Sequence, residues 1–84
     1  MFHILIADDD KNTRLLLKTV LEEEKYVVYT AENGEDALRV MDREHIDLVV
    51  LDIMMPKMDG YELTALLRES NNNLPILMVS AKQL

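Results

Sequence analysis

An α/β fold built on a doubly wound parallel sheet is the architecture this chain predicts, and three observations predict it. Short runs of Ile, Val and Leu recur, as Ile4-Leu5-Ile6-Ala7, Leu48-Val49-Val50-Leu51 and Ile76-Leu77-Met78-Val79. Such runs read as strands buried on both faces, the kind found in parallel sheets. Helical patterns alternate with the strand patterns, and strands separated by single helices form right-handed βαβ units. The first two runs stop on acid, at Asp8-Asp9 and at Asp52. In an open α/β sheet the carboxyl ends of the strands form the crevice where ligands bind.

Each element has its own signal. Phe2 to Ala7 is the first strand. Asp10 can cap a helix running to about Glu24, with Leu16, Leu17, Val20 and Leu21 as its apolar face. Tyr26 to Thr30 is a second strand of strand-forming residues. Asn33-Gly34 turns into a second helix, with Asn33 and Asp36 at capping-box-like spacing and Ala37, Leu38 and Met41 facing inward. Ile46 to Leu51 is the third strand, followed by a loop containing Pro56. Asp59 and Glu62 are spaced as an N-cap and its partner, opening a helix with Leu63, Leu66 and Leu67 on one side. Ser70 to Asn73 is a polar break. Leu74 to Val79 is the fourth strand, with Pro75 near its start, where a missing N–H is tolerated. That strand would present an apolar edge, which proteins usually avoid.

With 84 residues the chain allows one small domain. A domain of this size buries only about 60–65% of its extended-chain surface. An apolar fraction of 49% with 30% charged residues suits a globular protein. Nine basic against sixteen acidic residues give a net charge of −7. No basic stripe is present to neutralise nucleic-acid phosphates, and the same balance disfavours an anionic membrane surface. Cysteine is absent, which excludes disulfides, thiolate metal sites and thiol nucleophiles. No leader pattern and no membrane-spanning run is present, so a cytoplasmic location is expected.

The candidate chemistry lies in Asp8, Asp9, Asp10 and Asp52. Helix capping explains one of the first three, Asp10, and leaves Asp52 at the tip of the most hydrophobic strand unexplained. Carboxylates gathered at a half-buried strand end need a cation to stay ionised together. Such oxygen donors suit Mg²⁺, which keeps several waters and binds through one or two carboxylates plus phosphate oxygens. His3 and His45 fall at the far ends of their strands and read as surface residues.

The blocks Ile4 to Asp10, Leu48 to Gly60 and Leu74 to Ala81 make the chain resemble the receiver domain of two-component response regulators over its whole length. The resemblance implies a flavodoxin-like sheet of strand order 2-1-3-4. It implies that Asp52 accepts a phosphoryl group from the phosphohistidine of a sensor histidine kinase. Asp8, Asp9, Asp52 and the backbone carbonyl of Met54 would hold Mg²⁺, and Ser80 would hydrogen-bond the phosphoryl group as a switch. The domain would be a phosphoacceptor and not an enzyme, assisting its own phosphorylation and dephosphorylation. Transcription regulation is the output expected of the full-length protein.

Family members continue to a fifth strand carrying a lysine that pairs with the phosphoryl group, and to further helices. Residues 1–84 are therefore expected to be a partial receiver, with Lys82 leading away from the site. Transfer should be slower without that cation, and the exposed fourth strand should favour self-association. Two other readings are weaker. A Mg²⁺-dependent phosphatase of the haloacid-dehalogenase type has a second Asp two residues after its nucleophile, where this chain has Met54. A phosphorylation-independent interaction module or an inactive truncated fragment would not need Asp8, Asp9, Asp52 and Ser80 together, and the missing lysine keeps that reading open.

Overall fold

The computed structural model describes residues 1–55, 58–70 and 73–79. Seven elements follow one another: β1 (His3–Ala7), α1 (Lys11–Glu23), β2 (Val27–Ala31), α2 (Gly34–Arg43), β3 (Leu48–Asp52), α3 (Gly60–Ser70) and β4 (Ile76–Val79). All strand pairs are parallel, in the order β2-β1-β3-β4. The doubly wound sheet expected from the alternation is present, with the expected strand order.

The two central strands show why Ile4 to Ala7 and Leu48 to Leu51 are apolar at every position. Leu5, Ala7, Val49 and Leu51 point into the larger core, together with Ala37 and Val40 of α2 and Leu63 and Leu67 of α3. Ile4 and Ile6 point to the opposite face, against Leu17 and Leu21 of α1. Alternate residues serve opposite faces, and both faces are covered, so no polar alternation appears.

The caps hold where the sequence put them. The Asp10 carboxylate accepts from Asn12 N–H at 3.1 Å and from Thr13 Oγ1 at 2.7 Å. Asn33 accepts from Asp36 N–H at 2.8 Å, and Asp59 from Glu62 N–H at 2.9 Å. Helix α1 ends with Lys25 at a φ of 72°, its N–H bonded to the Glu22 carbonyl and that of Tyr26 to the Leu21 carbonyl. This is a left-handed cap of the kind glycine usually makes.

Two apolar faces differ from the sequence reading. On α1 only Leu17 and Leu21 pack against the sheet, whereas Leu16 and Val20 are 64% and 48% exposed. Residues four apart share a face, and the sheet selects one such pair from a run of adjacent leucines. On α3, Leu63 and Leu67 are buried by the same spacing and Leu66 lies at the margin. Strand limits also shift: β2 begins after Tyr26, and β3 begins after Ile46 and takes in Asp52. In β4 the Pro75 carbonyl accepts from Val49 N–H, so the proline precedes the strand without weakening the ladder.

Among the described residues no helix is long and apolar enough to cross a membrane. Pro56, Lys57, Ser80 and Lys82 lie outside the described residues.

Candidate functional site

The register of the two central strands assembles the acidic site. Ala7 is paired with Leu51, so the next residue of each strand, Asp8 and Asp52, emerges at the same end of the sheet. One carboxylate oxygen from each of Asp8, Asp9 and Asp52 lies within 4.8 Å of the others. Asp8 and Asp52 are buried, at 4% and 1% exposure, and Asp9 is exposed.

Backbone groups fix the two buried acids. Asp8 N–H donates to the Ala31 carbonyl at 3.0 Å, and its Oδ1 accepts from Asp10 N–H at 2.9 Å. The Asp8 carbonyl accepts from Arg14 Nη1 at 2.7 Å, which ties the strand end to the second turn of α1. Asp52 Oδ1 accepts from Met54 N–H at 3.1 Å, bringing the loop backbone against the carboxylate. Ile53 N–H then reaches the Val79 carbonyl, and Gly60 N–H reaches the Ile53 carbonyl at 2.9 Å. The loop after β3 is thus held by β4 on one side and by the start of α3 on the other.

The fourth acid separates cleanly. Asp10 is the α1 cap, and its carboxyl is held below the ordinary range first by the Thr13 hydroxyl and then by the Asn12 N–H. What remains is an all-oxygen donor set, two of its members buried and fixed. That set suits a hard divalent cation and offers nothing to a soft one.

The sequence reading missed Arg14, whose only local signal is its place one turn after the cap. It also missed a cluster at the opposite end of the sheet. There Asp47 accepts from His3 N–H at 2.7 Å and lies 2.8 Å from His45 Nε2, while His3 Nδ1 lies 2.8 Å from the His45 carbonyl. His45 is exposed, as expected, but His3 is half-buried.

The family model for the response regulator receiver domain matches residues 4–84. The chain belongs to the response regulator receiver family. Among curated relatives it is 46% identical over 79 residues to the alkaline phosphatase synthesis transcriptional regulatory protein PhoP of Bacillus subtilis. That match covers 94% of this chain and 33% of PhoP. It is 49% identical over 78 residues to the sensor protein EvgS of Escherichia coli, covering 93% of this chain and 6% of EvgS. The chain thus spans a third or less of these relatives. Among solved structures, the Thermotoga maritima response regulator TrrA in complex with Mg²⁺-BeF superposes with a TM-score of 0.91 at 43% identity. That comparison covers 96% of this chain and 70% of the TrrA chain. TrrA has also been solved in complex with the histidine kinase ThkA, and that structure matches with a TM-score of 0.89. The receiver fold is therefore common ground between sequence, geometry and kinship, and the acidic cluster is common ground between sequence and geometry.

Proposed function

We propose that this receiver takes a phosphoryl group from the phosphohistidine of a sensor histidine kinase onto Asp52. The observation that carries the reading is the position of Asp52. It is 1% exposed at the tip of β3, with oxygens of Asp8 and Asp9 within 4.8 Å. A carboxylate oxygen attacks phosphorus, the phosphorus–nitrogen bond breaks, and the electron pair leaves on the imidazole. In-line positioning and neutralisation of oxygen charge are the main requirements of such a transfer. The bond from Met54 N–H to Oδ1 orients the Asp52 carboxylate for it.

Asp8, Asp9, Asp52 and the Met54 carbonyl would hold Mg²⁺, which when bound supplies charge neutralisation at the phosphoryl oxygens. The donor chemistry of the three carboxylates supports this, as does the Mg²⁺-BeF complex of TrrA. The acyl phosphate on Asp52 is hydrolysed by water, so the signal decays and the carboxylate is restored. Ser80 is proposed to donate its hydroxyl to a phosphoryl oxygen.

Helix α1 borders the site through Arg14 and leaves Leu15 and Leu16 60% and 64% exposed, an apolar surface suited to a kinase. The ThkA–TrrA complex supports a kinase partner. Residues 1–84 act in this reading as the phosphoacceptor part of a cytoplasmic regulator. Likeness to PhoP supports transcription regulation as the output, with DNA contact left to other segments.

Intact-mass spectrometry after incubation with acetyl phosphate and Mg²⁺ tests the reading. A phosphoryl mass gain in the wild type that vanishes in Asp52→Asn is expected. A gain that persists in Asp52→Asn would overturn the assignment.

A further inference from the structure

Strand β2 is an edge of the sheet and pairs with β1 alone among the described residues. Its ladder fixes which backbone groups are left over. Val27 N–H donates to the Phe2 carbonyl, and the Ala31 carbonyl accepts from Asp8 N–H, both at 3.0 Å. Alternate residues of a parallel strand face its partner, so Val27, Tyr29 and Ala31 face β1. Val28 and Thr30 therefore turn their N–H and C=O groups to the open side. An edge of this kind is a template for a further strand.

Thr30 belongs to that edge and also to a basic groove. Lys11, Arg14, Leu15 and Lys18 of α1 line about 160 Å³ with it. Three of the nine basic residues of this −7 chain are gathered there. Helix stability does not explain them. The first turn of α1 holds no acid and its last turn no base, the reverse of what a helix dipole favours. Arg14 donates to the Asp8 carbonyl, and Lys18 pairs with Glu22 of its own helix in an exposed contact. Lys11 forms no ion pair among the described residues. Lys11, Leu15 and Lys18 follow at spacings of four and three, which sets them in one stripe along α1. Leu15 is 60% exposed in the middle of it.

We infer that the β2 edge and this groove bind an extended acidic segment of a partner protein, which joins the sheet as a further strand. Charge selects the occupant, because only carboxylates gain from the cations that border the edge. Size agrees, since the groove is below the roughly 300–1,000 Å³ of drug-sized sites and suits side chains. Main-chain hydrogen bonds to Val28 and Thr30 supply affinity, and alternate side chains of the added strand supply specificity. Spacing sets the pattern. At a rise of about 1.5 Å per residue, Lys11 and Lys18 lie roughly 10 Å apart along α1. Residues four apart in a strand span about 13 Å, a difference that long lysine side chains absorb. The matching segment reads acid, any, apolar, any, acid, with its apolar residue at Leu15 and its acids at the two lysines. Asp52 takes no part, so this contact goes beyond the phosphoacceptor reading and does not require it.

The probe is the synthetic peptide acetyl-Thr-Glu-Val-Leu-Val-Glu-Thr-amide, titrated into the isotope-labelled 84-residue chain at low ionic strength. The amide resonances of Lys11, Leu15, Val28 and Thr30 should shift. The Val28 and Thr30 amides should also gain protection from hydrogen exchange, which binding to the lysines alone would not give. Lys11→Glu/Lys18→Glu should weaken binding by roughly 10-fold or more, and added salt should weaken it in the wild type. Lys25→Glu/Arg39→Glu carries the same charge change outside the groove and should bind within about twofold of the wild type. Asp52→Asn should bind as the wild type does, whatever the outcome of its phosphorylation. Two control peptides test the wild type directly. One is N-methylated along its core and cannot pair with an edge, and the other has lysine in place of both glutamates. Neither should bind. Absence of shifts at millimolar peptide, binding of either control peptide, or unchanged affinity in Lys11→Glu/Lys18→Glu would overturn the assignment. Shifts at the lysines without protection of Val28 and Thr30 would overturn strand addition as well.

Discussion

Gly60 sits so close to Asp52 that a β-carbon on it would lie 2.9 Å from the Asp52 carbonyl oxygen. The same atom would stand 2.8 Å from Ile53 Cα and 2.7 Å from Leu51 Cδ1. Two of these neighbours are backbone in the loop that carries the acceptor, so they cannot swing aside. Gly60→Ala should therefore lower stability by about 1–3 kcal/mol. It should also displace Asp52 from its partners and slow phosphorylation by acetyl phosphate. Urea unfolding and the mass assay check the two effects. Unchanged stability would mean that the start of α3 yields without disturbing the site.

Asp47 gives a pH dependence with a definite sign. Its carboxyl is held below the ordinary value of 3.8, first by the His3 N–H and further by His45, against the opposing effect of burial. A group whose pKa is lowered on folding stabilises the fold fully above its unfolded value and loses that contribution as pH falls through the folded one. The stability difference between the wild type and Asp47→Ala should thus be fully developed just above the ordinary carboxylate range. It should shrink as the pH drops below 3.8 and vanish once Asp47 is protonated in both states. Urea midpoints measured from neutral to strongly acidic pH give the curve. A difference that persists unchanged at the acid end would assign the effect to packing.

The acidic site was legible because its signals are local and its assembly follows from topology. A strand that ends on acid stays a strand that ends on acid, and parallel neighbours bring such ends together. The caps at Asp10, Asn33 and Asp59 were legible for the same reason, since each bonds within three residues of itself. The face of α1 was not. Leu15, Leu16 and Leu17 are consecutive, and only the sheet decides that Leu17 goes inside. The joining of His3 to Asp47 spans 44 residues and depends on the register of β1 against β3, which no local pattern carries.

Divalent-cation binding should appear as added stability. The three carboxylates are preassembled in the folded chain and dispersed in the unfolded one, so a cation binds chiefly to the folded state. Linkage then adds about 1.4 kcal/mol at a free concentration ten times the dissociation constant. Thermal melts should move upward with Mg²⁺ and return with EDTA. Asp9 is exposed, so Asp9→Asn should fold normally and show a much smaller rise. An equal rise in both proteins would place the cation elsewhere.

The remaining expectation concerns β4. It is an edge of the sheet among the described residues, and Leu77 and Met78 are 54% and 38% exposed. Helix α1 packs over β1 and β2, which leaves Val50 and Leu77 on that face only partly covered or exposed. An apolar edge beside an open apolar face favours pairing with a second copy. The short length of β4, four residues, limits the strength of that pairing. The 84-residue chain should show an apparent mass in light scattering that rises with concentration. Leu77→Lys puts a charge on the open face and should hold the chain monomeric. A wild type that stays monomeric at the highest concentration would show that the exposed leucine does not drive association.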